Sequence, residues 1–189
     1  MKDYRVKPGV HVHLRDHDAQ NTGDYKSEDD AADHTEHLRL RLDALQERLY
    51  AGGRRAVLVV LQGIDTDGKD GTIRHVMSGV NPQGCIVTSF KAFTPLEKAH
   101  DFLWRVHAAC PSRGYIGNFN RSHYEDVLIT RVHGWITNKD AHRDLKHIGE
   151  FEKMLTADCL VQALEDVDPR PPTIRGVNWK KLGRKLSST

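Results

Sequence analysis

Apolar and polar positions along the chain divide it into stretches of two different periods. From Asp33 to Tyr50 the apolar residues Leu38, Leu42, Leu45 and Leu49 fall on one helical face, between acidic residues and Gly52-Gly53. That pattern predicts an amphipathic helix covering a domain, in preference to a coiled-coil partner site. The next run, Ala56-Val57-Leu58-Val59-Val60-Leu61, has no polar alternation. It predicts a strand buried on both faces, as in a parallel sheet covered by helices. Helical spacing returns from Thr72 to Gly79 with Ile73, Val76 and Met77 inward, stopped by Gly79 and Asn81-Pro82. Gly84 to Phe90 reads as a second strand, and Pro95 to Ala109 as a helix with Leu96, Ala99, Phe102, Leu103 and Val106 inward.

Tyr115 to Asn120 is a shorter and less apolar third strand, followed by a helix over His123–His133 with Val127, Leu128 and Val132 inward. After a break at Gly134–Asn138, Leu145, Ile148, Phe151 and Leu155 mark a helix over Ala141–Ala157. A last helix-like stretch, Asp158–Val167, runs into Asp168-Pro169-Arg170-Pro171-Pro172, which ends regular structure. The order of elements predicts an α/β fold with a parallel sheet. Residues 1–32 are read as an extended N-terminal arm, 33–168 as one domain, and 169–189 as a basic tail.

The chemistry concentrates where the first strand ends. Gly63, Gly68 and Lys69 fit G-x-x-x-x-G-K, the Walker A loop whose backbone N–H groups and lysine cradle a polyphosphate chain at a helix N-terminus. The Ser or Thr that normally follows the lysine is replaced by Asp70, with Thr72 two residues on. Asp65, Asp67 and Asp70 would repel a bare phosphate chain, so the loop makes physical sense as a site where magnesium bridges carboxylate and phosphate. Lys91 lies just past the second strand, and Asn120-Arg121-Ser122 closes the third. Strand ends of this kind are where open parallel sheets hold ligands. Arg121 can fork onto phosphate oxygens, although a solvated arginine beside a Ser122 helix cap fits its position equally well.

Composition narrows the class. The chain has 189 residues, enough for one α/β domain with a core, and a net charge of +2. That charge is uneven: residues 1–37 carry net −4 and residues 170–189 net +6, the latter read as a solvated end. Cys85, Cys110 and Cys159 form no C-x-x-C and indicate neither a disulfide framework nor a zinc site, and the twelve histidines lack a carboxylate frame. No membrane span or signal-peptide layout is present, so the expected location is cytoplasmic, with no membrane or nucleic-acid partner.

Four blocks carry a family resemblance: LQGIDTDGKDGTIRHVMSGVNPQGC from Leu61, SFKAFTP from Ser89, HDFLWR from His100 and IGNFNRSHYEDVLITRVH from Ile116. In order and content they resemble polyphosphate kinases of the second type, a family of P-loop phosphotransferases. The resemblance implies a P-loop kinase-like three-layer α/β/α fold and magnesium-dependent phosphoryl transfer between inorganic polyphosphate and a nucleotide (ADP/ATP, AMP or guanine equivalents). It implies catalytic roles for Asp65, Lys69 and Arg121. Gly63, Gly68, Lys69, Gly71, Thr72, Arg74, Lys91, Asn120 and Arg121 would bind phosphate, and Asp65 and Asp70 would hold magnesium. Glu125 and Arg131 match family positions nearby. It also implies a homo-oligomer.

The chain departs from the family at Asp67, where alanine is usual, and at Phe93, where proline is usual. Near 158–162 it passes directly into a segment resembling the family's closing part, so the family's helical lid and part of its core are expected to be missing. Two alternatives follow: an inactive polyphosphate-binding or scaffold subunit, and a different P-loop kinase, such as a nucleoside monophosphate kinase, that uses ATP without long-chain phosphate.

Overall fold

The computed structural model describes residues 13, 21–63 and 68–158. Asp65 and Asp67, most of the N-terminal arm, and residues 159–189 with the expected deletion and the basic tail lie outside the described residues. Among the described residues no helix is long and apolar enough to cross a membrane.

Helix α1 spans Glu28–Gly52 and so begins five residues before the predicted start. The cause is local. Ser27 caps it by accepting from Asp30 N, and Glu28, Asp29 and Asp30 place negative charge at the positive end of the helix dipole. Its leucine stripe is less covered than expected: Leu42 and Leu49 are half-buried, whereas Leu38 and Leu45 are exposed. The residue α1 buries most fully is Gln46, which lies against Gly84, where an added Cβ would sit 1.7 Å from Gln46 Nε2.

Strands β1 (Val57–Leu61), β2 (Cys85–Ser89) and β3 (Ile116–Asn120) form a parallel sheet in the order β1-β3-β2. The predicted α/β class with a parallel sheet is therefore present. The expectation that the first strand is buried on both faces is not met. Among the described residues β1 pairs only with β3, and its residues are half-buried or, at Val59, 37% exposed. Burial on both faces belongs to β3, in which Ile116, Gly117, Asn118 and Phe119 are all buried between two neighbours.

Helix α2 (Lys69–Met77) follows the loop after β1. Ile73 and Met77 are half-buried as predicted, but Val76 is exposed. The helix predicted over Pro95–Ala109 is two short ones, α3 (Pro95–Lys98) and α4 (Trp104–Ala109). A capping box between Thr94 and Glu97 starts α3, and Asp101 then breaks the run by accepting from Leu103 N at 3.0 Å through its own side chain. Leu96 and Ala99, predicted inward, are consequently exposed, while Val106 is fully buried.

Helices α5 (His123–Val132) and α6 (Asn138–Asp158) pack on each other through Val127, Ala141 and Ile148. On one face of the sheet Leu58, Val60 and Phe119 meet Phe90, Val106, Phe151 and Leu155, which is the main core. Phe90 and Phe119 meet edge to face at 4.8 Å.

Candidate functional site

The parallel register brings three chain ends to one edge. Leu61 pairs with Asn120, and Asn120 with Ser89, so the loop from Gly63, the turn at Arg121 and the segment at Lys91 all leave from the same row of strand C-termini. Gly68 begins α2 at φ +87°, a conformation that favours glycine. Lys69 donates from Nζ to the Gly63 carbonyl at 3.1 Å, which links the start of α2 to the end of the segment leaving β1. Thr72 N donates to the Gly68 carbonyl at 2.8 Å. Among the described residues nothing lies within 4 Å of where a Cβ on Gly71 would stand.

Asp70 is exposed and accepts a short hydrogen bond from the Asn120 amide, which ties α2 to the end of β3. Arg74 is also exposed, one turn further along α2. Arg121 stands at φ +62°, in the left-handed region unusual for any residue but glycine, and its N–H donates to the Leu61 carbonyl at 3.0 Å. That turn sends the chain from β3 into α5, with Ser122 as the cap, accepting from Tyr124 N. The capping role foreseen for Ser122 is thus present, and Arg121 stands at the C-terminal end of β3.

Around Arg121 lies a network not predicted as a unit. Arg121 Nη1 is 3.7 Å from Glu125 Oε1, Gln62 Nε2 donates to Glu125 Oε2, and Ser122 Oγ donates to Gln62 Oε1 at 2.9 Å. The usable signal was a polar residue, Gln62, directly after an apolar strand. A second network joins Lys91 to α5 through Arg105. Its Nη1 donates to the Lys91 carbonyl at 2.7 Å and its Nη2 reaches both Asp126 oxygens at 3.0 Å. Burial pushes the Asp126 carboxyl above its ordinary range, and the charge and hydrogen bonds of Arg105 offset part of that. The Lys91 side chain is exposed.

Not every residue of the expected set is gathered here. Arg131 sits in the last turn of α5, about 12 Å along the axis from His123 at about 1.5 Å per residue. Its Nε donates to Asn138 Oδ1 at 3.1 Å, which fastens the start of α6. Tyr124 and His123 face Glu152 of α6, and the Tyr124 hydroxyl is raised well above its ordinary value by burial first and by Glu152 second. That cluster joins two helices.

Among the described residues no group of three or more His, Cys, Asp or Glu could hold a metal ion. Magnesium bound with a phosphate chain does not require such a cage, because one or two carboxylates suffice beside phosphate oxygens and water. An exposed Asp70 beside the lysine loop fits that donor set.

Comparison with known proteins bears on the whole arrangement. Residues 25–164 match the family model Polyphosphate kinase 2. The chain is 47% identical over 156 residues to an AMP/ADP-polyphosphate phosphotransferase of Meiothermus ruber, a match covering 82% of this chain and 58% of the relative. It is 54% identical over 110 residues to an ADP-polyphosphate phosphotransferase of Rhodopseudomonas palustris, covering 58% of this chain and 38% of the relative. The crystal structure of a polyphosphate kinase 2 from Arthrobacter aurescens superposes with a TM-score of 0.77 at 40% identity, covering 82% of this chain and 56% of that one. The chain therefore spans between about two fifths and three fifths of the length of these relatives.

Proposed function

Because this chain belongs to the polyphosphate kinase 2 family, we propose that it transfers phosphoryl groups between inorganic polyphosphate and a nucleoside mono- or diphosphate, in the cytoplasm and with magnesium. The observation that carries this reading is the common edge at which the Gly63–Lys69 loop, Asn120-Arg121 and Lys91 emerge. Phosphoryl transfer needs little covalent help from a protein and much positioning and charge neutralisation.

In this reading Lys69 and the N–H groups of the first turn of α2 hold the bridging and terminal phosphate oxygens. Arg121, fixed by its backbone turn and by Glu125, meets charge that develops on the transferred group. Lys91 contacts the chain from the side of β2, and Thr72 and Arg74 line the approach. Asp70 and Asp65 would hold magnesium, which would supply charge neutralisation to the phosphate chain. Asn120 keeps the Asp70 carboxylate oriented.

A second reading, a subunit that binds polyphosphate without turnover, is favoured by the outer side of β1, which has no strand neighbour among the described residues. The same open side supports the proposed homo-oligomer, for which sedimentation would report the mass.

The deciding experiment is ATP formation from ADP, and ADP formation from AMP, with long-chain polyphosphate and magnesium. Lys69→Ala is expected to lower turnover by about 100-fold or more, the scale found when one transition-state charge contact is removed. Turnover that survives Lys69→Ala would remove the loop from the mechanism. Absent turnover with Lys69-dependent polyphosphate binding would select the second reading, and turnover with ATP but no use of polyphosphate would select a different P-loop kinase.

A further inference from the structure

Arg105 is buried, only 7% exposed, and a guanidinium is costly to bury unless its charge and N–H groups are matched. Here the two terminal nitrogens are matched by three separate pieces of chain, while Nε, also buried, has no hydrogen-bond partner among the described residues. Asp126, in the first turn of α5, takes both oxygens to Nη2 at 3.0 Å. The backbone carbonyl of Lys91 takes Nη1 at 2.7 Å, and Glu97 Oε1 of α3 lies 3.8 Å from the same nitrogen. The guanidinium carbon also sits 3.7 Å above the ring of Phe93, so the Lys91–Phe93 segment is held at both ends.

The neighbouring carboxylate of that helical turn, Glu125, holds Arg121 and Gln62. The first turn of α5 thus reaches both cationic residues at the strand edge: Arg121 through Glu125, and Lys91 through Asp126 and Arg105. We infer that Arg105 is a positioning residue that fixes the Lys91 segment for phosphate contact, with Asp126 as its anchor and Phe93 as its platform. The inference rests on the proposed phosphate role of Lys91. Lysine cannot substitute at position 105, because one ammonium nitrogen cannot serve the Asp126 carboxylate and the Lys91 carbonyl from two separate nitrogens while laying a planar face on Phe93.

The test compares wild type, Lys91→Ala, Arg105→Lys and the double variant in polyphosphate saturation kinetics at fixed ADP and magnesium. Each single variant is expected to raise KM for polyphosphate about tenfold while kcat stays within about twofold, and the double variant to match Lys91→Ala. An unchanged KM in Arg105→Lys, or effects that multiply in the double variant, would overturn the inference in favour of a purely structural ion pair. If Arg105→Lys does not fold, Phe93→Leu and Asp126→Asn replace it, with the same expectation and the same contrary outcome.

Should the wild type show no turnover, the proposed function fails, and the positional claim is read by trypsin instead. Cleavage after the exposed Lys91 is expected to quicken in Arg105→Lys at a temperature well below its Tm. An unaltered rate would refute the claim independently of any activity.

Discussion

Strands β1 and β3 lie side by side in register, yet their sequences and their surroundings run in opposite directions. Val57-Leu58-Val59-Val60-Leu61 is wholly apolar and occupies an edge of the sheet formed by the described residues, half-covered. Ile116-Gly117-Asn118-Phe119-Asn120 contains two asparagines and a glycine, and it is the central, buried strand. Burial is set by the number of neighbours a strand has, and apolar content alone does not reveal that number. Gly117 shows why a less apolar strand can be central: a Cβ there would lie 2.9 Å from Pro111, so the absence of a side chain lets the chain pack closely.

The sharpest way to break this comparison is to remove one large side chain from each strand. Phe119→Ala, at a fully buried site meeting Phe90, is expected to cost about 3–5 kcal/mol in denaturant unfolding, whereas Val59→Ala should cost under about 1 kcal/mol. Equal losses would show that β1 is covered as fully as β3 in solution.

A smaller effect sharpens it from the other direction. Gly117→Ala is expected to destabilise by about 1–3 kcal/mol through overpacking against Pro111, and stability preserved in that variant would mean the contact yields easily.

The smallest effect lies outside both strands and serves as their background. Hydrogen bonds from Thr94, first from its backbone N–H, hold the Glu97 carboxyl below its ordinary value. Those from Thr137, first from its side chain, do the same for Asp140. Both groups contribute stability that is present above the unfolded-state pKa and lost as pH falls through the lowered folded-state values. Acidification should therefore lower Tm slightly, and less so in Glu97→Gln and Asp140→Asn. Since neither strand contains a titrating residue, the same acid loss is expected in the Val59→Ala and Phe119→Ala backgrounds.

Much of the architecture was legible because its signals are local. Helical spacing located α5 and α6, and G-x-x-x-x-G-K after an apolar run located the lysine loop. The resemblance placed Asn120 and Arg121, and the register then put them beside that loop. What escaped was of two kinds. One was competition within a few residues, as where Ser27 extends α1 backwards and Asp101 splits α3 from α4. The other was contact across long separations, as between Gln62 and Glu125 or Arg105 and Asp126, which no period or spacing encodes.

The register of β1 also has a consequence for synthesis. Val57 pairs with Ile116, so the strand partner of the most apolar stretch emerges 59 residues later than the stretch itself. At about 5–20 residues per second, the nascent chain carries VLVVL without its partner for roughly 3–12 s. Such a segment is short, β-branched and uncharged, which makes it a candidate for capture by chaperones or by other nascent copies during that interval. The lysine loop that follows β1 therefore hangs, for its first seconds, from a strand whose partner β3 has not yet been made.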